Sequence, residues 1–525
     1  MRTFRGAWST AGLVAGFAGL ATSYFVAMVM TIRDSPVVAV AELVIRLTPG
    51  PAAEKAISVL GHKDKPFLDA GVLLLSAVLF TWAGRLAARA WWAPLFVLVP
   101  LAAVGAVAVS VQRGSSALDV LPVVVGFVTW LICLSLLTEP LRRAEAGPAP
   151  AAEADQAAPE TAWGTAPQPT GPSRRSVLVR GGAIGVLAVA VAYAGRVVGA
   201  GRRHVEESRR LLRLSGASRP VVPTRARVDL DGISPWMTSS GDFYRIDTAI
   251  VVPAIEPSGW KLRIHGMVDR EVELTYQDLL DRRLTEGWVT LNCVSNPVGG
   301  PLIGNAWWSG VSLADLMQEA GAHPDADAIL QTSDDGWTCG TPLSALKGNH
   351  SAMLAVAMNG EPLPLDHGFP VRTIVPGLYG YVSACKWVVD IEVTQFARFS
   401  AYWTDRGWSE HGPVKLSSRI DVPDSGGELS AGTTRIGGVA WAQHIGIEAV
   451  ERDLDGGDWQ PAEISHPPTD DAWVQWAAAV KVAPGDHTVR VRATDRNGLV
   501  QTGVERGVLP NGATGWHSVD FTATA

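Results

Sequence analysis

Cysteine is scarce in this chain of 525 residues. There are only four, Cys133, Cys293, Cys339 and Cys385, and no two of them form a CxxC pair. Cysteines spaced in this way argue against a disulfide scaffold, a structural zinc site and a thioredoxin-like centre. Charge is scarce too, since charged residues make up 18% of the chain and carry a formal net charge of -7. A protein without a basic field is not expected to bind nucleic acid.

Apolar sequence is abundant instead. Hydrophobic residues make up 47% of the chain and the mean hydropathy is +0.16, values typical of a membrane protein or of a membrane part joined to a soluble part. Four apolar runs near the N-terminus are close to the ~20 residues that cross a bilayer as a helix. They cover residues 11–32, 67–84, 91–111 and 120–138. We therefore predict a four-helix membrane module over 1–140.

Basic residues predict the orientation of this module. Six arginines flank the runs, and all of them fall on one side of the membrane, which the positive-inside rule makes the cytoplasmic side. They are Arg2, Arg5, Arg85, Arg89, Arg142 and Arg143. Residues 33–66 then form an external loop. Within it an amphipathic stretch near 37–47 either rests on the membrane surface or folds as part of the loop.

Residues 141–176 are rich in Ala and Pro and nearly lack large aliphatic side chains, so we predict a disordered linker. Its end carries the twin arginines Arg174 and Arg175, ahead of a fifth apolar run that we predict to be a transmembrane helix over 177–204. This start resembles a twin-arginine export signal placed internally, a route that carries folded proteins; an ordinary basic flank is the alternative. Either interpretation places the rest of the chain outside the cytoplasm. A weak cleavage motif at 192–194 leaves open whether the helix is cut.

Beyond the fifth run the sequence changes to short apolar stretches and frequent turns. Residues 225–398 mix strand patterns with short helix patterns, among them 312–321 with Ser312 as a candidate N-cap, so we predict an α+β domain. Later the helix patterns vanish, and strands alternate with hairpin signals such as the Asp-Gly-Gly-Asp at 455–458. We predict an immunoglobulin-like β-sandwich over 399–525.

Cys293 carries the clearest chemical signal. A strand pattern runs straight into it, and a loop rich in Gly and Pro follows. A thiolate presented at the end of a strand suits a transition metal, whereas a buried inert cysteine is the ordinary alternative. Cys339 and Cys385 either pair outside the cytoplasm or stay free and buried. Cys133 falls inside the fourth apolar run, where a packing role is expected.

Three collinear motifs resemble the sulfite oxidase family of molybdenum enzymes. They are LNCVSNPVGG with NAWWSGVSLADLM (291–317), MNGEPLPLDHGFPVRTIVPGLYGYVSACKW (358–387) and GGVAWAQHIGIEAVERDLDGGDWQPA (437–462). The resemblance leaves out the membrane part. It implies a molybdopterin-binding catalytic domain at 225–398 and a second domain of a kind that often dimerises, so a homodimer is one option.

The resemblance also assigns residues to a molybdenum–molybdopterin cofactor. Cys293 matches the thiolate that ligates the metal, and a metal would keep this sulfur deprotonated. Five further residues match positions around the pterin, namely Arg245, Asp334, His367, Arg372 and Lys386. Arg372 and Lys386 are expected at the cofactor phosphate and His367 at the pterin ring, with backbone amides between Tyr381 and Lys386 as further donors. Surface charges are the alternative for Arg372 and Lys386. Asp335, or a simple turn role, is the alternative for Asp334.

Two departures from the sulfite-oxidising members concern the substrate. Pro297 stands where they have an Arg and Val356 where they have a Tyr, and both lost groups help to bind an oxyanion and manage protons. A pocket without them should hold sulfite poorly. Arg406 either restores one positive charge to the catalytic site or is a surface residue. Sulfite is therefore one candidate substrate and a less charged S- or N-oxide another.

The electron route is predicted from histidine placement. None of the eleven histidines lies inside the five apolar runs, since His204 stands at the very end of the fifth, and no CxxCH motif is present. A membrane b-haem needs two facing intramembrane histidines, so no haem is expected. Electrons would then pass through a separate redox partner, a cytochrome or a quinone-linked protein.

These interpretations combine into a multi-pass enzyme of the cell membrane with an extracytoplasmic catalytic domain. We predict a molybdenum-dependent oxidoreductase that performs two-electron oxygen-atom transfer on a small S- or N-containing substrate. One alternative is a non-catalytic, membrane-anchored binding module of the same fold; retention of Cys293, His367, Arg372 and Lys386 together speaks against it. The other is a transporter or sensor, which the scarcity of polar residues in the apolar runs disfavours.

Overall fold

A computed structural model describes most of the chain in two compact units. The described residues are 5–30, 32, 34–52, 55–56, 64–112, 115–146, 174–198, 201–346 and 351–525. The helical unit comprises Met1–Thr48, Lys55–Arg202 and Ala249–Val251, and the β-rich unit comprises Pro49–Glu54, Arg203–Thr248 and Val252–Ala525.

Long apolar helices make up the helical unit. They are α1 (Arg5–Val29), α2 (Pro36–Leu47), α3 (Asp64–Ala87), α4 (Leu95–Ser110), α5 (Leu121–Ala146) and α6 (Arg174–Val198). Within the described residues, four segments are long and apolar enough to cross a membrane, namely Gly6–Val29, Lys65–Ala87, Ala117–Arg143 and Leu178–Val197. The third predicted run, 91–111, yields only the 16 residues of α4, fewer than the ~20 that span the hydrocarbon core.

Small residues let the apolar helices pack closely. A Cβ atom added at Gly12 of α1 would lie 2.7 Å from the Cα of Gly84 in α3, so the two helices meet backbone to backbone. Such contacts replace the hydrophobic effect as the source of helix association in lipid. Trp130 of α5 packs beside them, and its indole donates to Gly16 O (2.9 Å).

The predicted linker and fifth helix differ from the structure at their boundaries. The linker was placed at 141–176, but α5 continues to Ala146 because Leu141 is buried in the helical core. Residues 147–173 lie outside the described residues, and α6 already begins at Arg174. The fifth helix, predicted over 177–204, ends at Val198, and a separate helix α7 (Gly201–Leu211) follows.

The amphipathic stretch predicted near 37–47 is helix α2. Ser35 caps it, because its hydroxyl accepts a hydrogen bond from Val38 N (3.4 Å), and Pro36 occupies the first turn. Both residues are favoured at helix starts, where backbone N–H groups have no partner within the helix.

Two sheets form the first part of the β-rich unit. Their strands are β1 (Lys261–Gly266), β2 (Val272–Thr275), β3 (Thr285–Asn292), β4 (Ile303–Ser312), β5 (Ala328–Ser333), β6 (Thr338–Pro342), β7 (Met353–Met358), β8 (Glu361–Pro362), β9 (Arg372–Ile374) and β10 (Val388–Thr394). One sheet has the order β2-β1-β10-β5-β6, and the other has the order β3-β4-β7-β8 with β9 paired to β7. Only β1 and β10 pair in parallel among these strands.

Short helices cover the core of these two sheets. They are α8 (Tyr276–Leu280), α9 (Leu313–Ala320) and α10 (Gly380–Ser383). The predicted helix at 312–321 is α9, and Ser312 is its N-cap, accepting from Asp315 N (3.2 Å). Cys339 and Cys385 are free thiols buried in this core.

Two further sheets form a β-sandwich at the C-terminal end. Its strands are β11 (Ser417–Val422), β12 (Gly427–Ser430), β13 (Gly432–Trp441), β14 (Ile447–Leu454), β15 (Gln460–Pro461), β16 (Glu463–Ile464), β17 (Val474–Val482), β18 (Gly485–Asp495) and β19 (His517–Thr524). The sheet orders are β11-β13-β17-β16 and β12-β19-β18-β14-β15. Alternate residues of β18 point into the shared core, namely Val489, Val491 and Ala493. The immunoglobulin-like assignment of this sandwich remains a prediction.

The sandwich also braces the loop that follows β3. Arg419 of β11 donates to Gly300 O (2.9 Å) in that loop. Trp236 and Trp473 exchange two hydrogen bonds, each indole donating to the other's carbonyl oxygen at 2.9 Å. The segment before β1 and the loop after β3 are therefore both held by residues of the sandwich.

Strands β4 and β7 approach each other closely at Gly310. A Cβ atom there would lie 2.1 Å from Leu354 O and 2.6 Å from Ala355 Cα. We expect Gly310→Ala to lower the free energy of unfolding by about 1–3 kcal/mol, because neither strand can yield without breaking the ladder. The melting temperature of the detergent-solubilised full chain, followed by near-UV circular dichroism, measures this. Gly287→Ala in β3 is the control, since a Cβ atom there would make only an ordinary contact, 3.6 Å from Ser351 Oγ. Equal melting temperatures for the two variants would contradict the prediction.

Candidate functional site

Cys293 is the first residue after β3. Its amide donates to Leu302 O (3.0 Å), and its carbonyl accepts from Asn296 N (3.1 Å), so the loop returns directly to β4. The thiol is free and the residue is only 9% exposed. Burial raises the pKa of the Cys293 thiol, while hydrogen bonds from Ser295 and the charge of Lys386 act in the opposite direction. The site therefore presents a sheltered sulfur close to positive charge.

Arg372 is a buried cation at the start of β9. It is 4% exposed, and its guanidinium donates to His367 O (3.2 Å) and Ala384 O (3.4 Å). It also lies 5.2 Å from the centroid of the Trp308 ring. Among the described residues no carboxylate forms an ion pair with it, and burial lowers its pKa to about 10. Arg372 is thus a fully charged group held without a counterion.

Lys386 and Arg245 share a single carboxylate. Lys386 Nζ donates to Asp247 Oδ2 (2.8 Å), and Arg245 Nε donates to the same oxygen (2.9 Å). Arg245 also approaches Asp366 Oδ2 (3.4 Å). Burial lowers the pKa of Lys386 to about 8, although Asp247 opposes this change. With Arg372 as a third cation, this cluster favours an anion.

His367 lies beside these cations in a neutral state. Burial and the charges of Lys386 and Arg372 lower its pKa to about 3. Its Nε2 is 3.0 Å from Ser240 O, a carbonyl that only accepts, so Nε2 carries the proton. Nδ1 is then an acceptor that can receive an N–H from a bound ring.

Gly368 allows the two cations to converge. Its φ of +106° is a conformation that side chains rarely adopt. A Cβ atom there would also lie 3.0 Å from Arg372 Cβ and 3.1 Å from Lys386 Cβ. The glycine after His367 is therefore required by both the backbone conformation and the close approach.

The structure brings together most of the predicted site residues. Arg245, His367, Arg372 and Lys386 form one cluster, and the Lys386 charge acts on the Cys293 thiol. The burial of Arg372 and Lys386 argues against the alternative that they are surface charges.

Asp334 and Arg406 contact Trp387 and Tyr402, respectively. Asp334 donates its amide to Trp387 O (2.8 Å), next to Lys386, while the alternative, Asp335, is buried and accepts from Trp337 N (3.0 Å). The Arg406 guanidinium lies 3.7 Å from the centroid of the Tyr402 ring and donates to Tyr402 O. Lys386, and not Arg406, is the cation that affects the pKa of Cys293.

Three residues near Cys293 were not predicted. Asn292 is 3% exposed and its Oδ1 has no hydrogen-bond partner in the described part of the chain. The Cys293 charge raises the pKa of both Tyr244 and Tyr379, although burial is the larger cause. Tyr244 directly precedes Arg245, which is the one signal that pointed to it; Tyr379 lies within the motif at 358–387, but the resemblance assigns it no role.

The chain is similar to known molybdopterin oxidoreductases. Residues 249–403 match the family model described as "Oxidoreductase molybdopterin binding domain". The chain is 33% identical over 161 residues to the "Uncharacterized oxidoreductase YuiH" of Bacillus subtilis (strain 168), covering 31% of this chain and 78% of that protein. It is 30% identical over 322 residues to the sulfite oxidase of Gallus gallus, covering 51% and 69%.

Two further proteins are matched at lower identity. The mitochondrial sulfite oxidase of Rattus norvegicus is 29% identical over 323 residues, which cover 51% of this chain and 58% of that protein. The chain therefore spans little more than half the length of this relative. The crystal structure of the sulfane dehydrogenase SoxCD from Paracoccus pantotrophus gives a TM-score of 0.46 at 23% identity, covering 52% of this chain and 75% of that one.

The residues present fit a molybdenum–pterin cofactor. A soft thiolate ligand is supplied by Cys293. The cofactor phosphate would provide the counterion that buried Arg372 lacks, and Asn292 Oδ1 has an unused acceptor site beside the thiol. The pterin ring would bring N–H groups to the free Nδ1 of His367.

Arg372→Gln tests the cation cluster. Removing a charge-assisted hydrogen bond costs about 1.5–3 kcal/mol, so cofactor affinity should fall roughly 10- to 100-fold. Pterin and molybdenum per chain after gel filtration provide the measurement. The control is Arg263→Gln, which removes an exposed pair with Glu271 on β1. Full cofactor content in Arg372→Gln would refute the role assigned to this arginine.

The domain match, the relatives and the buried thiol with its cations all agree. The chain belongs to the family of sulfite oxidase-like molybdopterin oxidoreductases.

Proposed function

We propose that this chain is a membrane-anchored enzyme that performs two-electron oxygen-atom transfer on a small S- or N-containing substrate outside the cytoplasm. The observation that carries the proposal is the Cys293 thiol, which is buried near Lys386 and a cluster of cations in which Arg372 forms no ion pair with a described carboxylate. A bound molybdenum–pterin cofactor supplies the redox chemistry and the oxygen transfer, and the protein supplies binding and orientation.

Each residue of the cluster has a separate task in this proposal. Cys293 ligates the metal. Arg372 and Lys386 neutralise the phosphate, and Asp247 fixes the direction of the Lys386 and Arg245 side chains through its shared oxygen. His367 accepts from the pterin through Nδ1, since Ser240 O holds its other nitrogen. Tyr244 and Tyr379 stay protonated, because burial raises the pKa of both, and they offer neutral donors near the sulfur.

The substrate is proposed to be a less charged oxide rather than sulfite. Val356, at the position of the lost tyrosine, is fully buried within β7 and offers no hydroxyl. Pro297, at the position of the lost arginine, is exposed and carries no charge. The positive charge that acts on Cys293 belongs to Lys386, which is already paired with Asp247. An oxyanion would lose hydration here without gaining a free cation.

The location rests on five membrane crossings. Four are the segments long enough to span a membrane among the described residues, and the fifth is the shorter α4, which must also cross if a cytoplasmic N-terminus is to leave the β-rich unit outside. Arg174 and Arg175 stand at the start of α6, where an export signal recognised by a folded-protein pathway would lie. Helix α7 after it is rich in arginine, but Arg209 and Arg210 are both paired with Glu206, which reduces its net charge. We propose that the β-rich unit lies outside the cytoplasm.

A separate partner is proposed to exchange electrons with the enzyme. The apolar runs contain no histidine, so they offer no axial ligands for a membrane b-haem. A cytochrome or a quinone-linked protein would serve, and a homodimer through the sandwich is compatible with this arrangement.

Cys293→Ser tests the enzyme itself. The full chain, produced in a host that makes molybdopterin, is expected to hold about one molybdenum per chain, because one thiolate ligates one metal. The variant should lose nearly all of it while its circular dichroism stays unchanged. Cys133→Ser in α5 is the matched control and should retain the metal. A well-folded native chain without molybdenum, from a host shown to load a related enzyme, would favour the non-catalytic binding module.

Protease accessibility in intact spheroplasts tests the location. A C-terminal epitope should be digested and an N-terminal epitope protected, since the basic residues place the N-terminus inside. Replacing Arg174 and Arg175 by lysine should leave the C-terminal epitope protected, whereas the same change at Arg142 and Arg143 should not. Protection of the C-terminal epitope in the native chain would rule out the extracytoplasmic assignment.

A further inference from the structure

A group of aromatic side chains packs beside the Cys293 loop. We call Tyr379, Tyr381, Trp403 and Trp408 the aromatic box. The Trp408 ring centroid lies 6.0 Å from that of Tyr381 and 6.4 Å from that of Trp403. Val294, the residue after Cys293, and Val508, from the segment before β19, belong to the same apolar cluster. The box is therefore closed by chain from both domains of the β-rich unit.

Trp408 presents an unused hydrogen-bond donor inside this box. The residue is 4% exposed, and its Nε1 has no acceptor among the residues that the structure describes. A buried indole N–H usually has a partner, and leaving one unpaired costs about 1–3 kcal/mol. In contrast, the buried indoles of Trp236, Trp473 and Trp476 all donate to backbone carbonyls. An acceptor supplied by a ligand would remove this cost.

Two other indoles lack an acceptor by the same measure, those of Trp307 and Trp441. Trp307 lies near the carboxylate of Glu286. Trp441 belongs to a different cluster, together with Trp236 and Trp473. Of these three indoles, the one that packs in the cluster containing Val294 is that of Trp408, so its position beside the Cys293 loop sets it apart from the other two.

Tyr379 adds a second donor to the box. It packs in the cluster that contains Trp408 and Val294, the residue after Cys293. Its hydroxyl accepts from Lys415 N (3.4 Å) and keeps its own proton to donate. The box thus lies beside the Cys293 loop and offers two neutral donors, the Tyr379 hydroxyl and the Trp408 indole.

The walls of the box are neutral. Arg406, two residues before Trp408, stacks on Tyr402 and donates to Tyr402 O. Lys415 Nζ donates to Asn511 Oδ1 (2.9 Å) and Gly512 O (2.6 Å). Both cations are therefore engaged elsewhere, and an inorganic oxyanion would be desolvated here against aromatic rings at a large cost.

We propose that the aromatic box binds the substrate of the oxygen-atom transfer reaction and that Trp408 Nε1 donates to the substrate's oxygen. The substrate class is a neutral organic S- or N-oxide with an apolar substituent, which the rings of the box cover. This inference rests on the proposed function of the Cys293 site.

The reaction balances with an external electron donor. The S–O or N–O bond breaks, the sulfur or nitrogen centre gains two electrons, and the oxygen leaves with two protons as water. The electrons come from a one-electron reductant that acts twice, which is reduced methyl viologen in the assay. Trp408 is a specificity residue in this scheme, because its hydrogen bond holds the oxide oxygen before the bond breaks.

Trp408→Phe in the molybdenum-loaded full chain tests the proposal. With dimethyl sulfoxide and with trimethylamine N-oxide as separate probes, kcat/KM is expected to fall about 10-fold, mainly through KM, because one hydrogen bond of about 1.4 kcal/mol is lost. Isothermal titration should show the same loss in the dissociation constant. Molybdenum per chain should stay unchanged. Trp441→Phe is the matched control, since it removes an equally buried, unpaired indole N–H outside the box.

A measurement on the native chain keeps the proposal testable if Trp408→Phe does not fold. Methyl phenyl sulfoxide should bind more tightly than dimethyl sulfoxide, because the box covers its ring, and sulfite should bind more weakly than either. Equal losses in Trp408→Phe and Trp441→Phe, or the opposite order of binding, would overturn the assignment of the box. Turnover of sulfite but of no organic oxide would overturn it while leaving the oxygen-transfer function intact. A native chain that holds no molybdenum would overturn both.

Discussion

Positive charge buried without enough counterions is the constraint on which this molecule depends. Arg372 has no carboxylate partner in the described part of the chain, and Asp247 serves Lys386 and Arg245 at once. Desolvated cations of this kind persist only when the surrounding fold holds them or an anion completes them. Here two backbone carbonyls and the Trp308 ring hold the Arg372 guanidinium, and Gly368 leaves room for Arg372 and Lys386 to approach each other. The site is thus preorganised for an anionic group before any group arrives.

The sequence predicts the chemistry of this site better than its surroundings. Cys293, His367, Arg372 and Lys386 lie in motifs, so a resemblance finds them one by one. Asp247 and Trp408 lie outside the motifs, and Tyr379 lies inside one without an assigned role. Their roles come from contacts between distant segments: Asp247 meets Lys386 across 139 positions of the chain. Arg406 is the opposite case. The sequence offers it as a positive charge for the catalytic site, but in the structure its guanidinium stacks on the ring of Tyr402.

The fold, too, is predicted well where local signals decide it and poorly where packing decides it. Local signals predict α9 and its Ser312 cap, because capping is decided within four residues. Helix length is decided by packing instead. Burial of Leu141 carries α5 past the predicted start of the linker, and the third apolar run is cut to the 16 residues of α4. A hydropathy pattern shows which residues are apolar, but it does not show which of them pack against another helix.

The contacts between the sandwich and the Cys293 loop limit how the two domains can be recombined. Arg419 holds Gly300, and a Cβ atom at Gly299 would collide with His517 of β19. A recombination event that joined this catalytic domain to a foreign sandwich would therefore disturb the loop that carries the thiol. We therefore expect the loop and the sandwich residues that contact it to evolve together, although the two domains are distinct in the sequence.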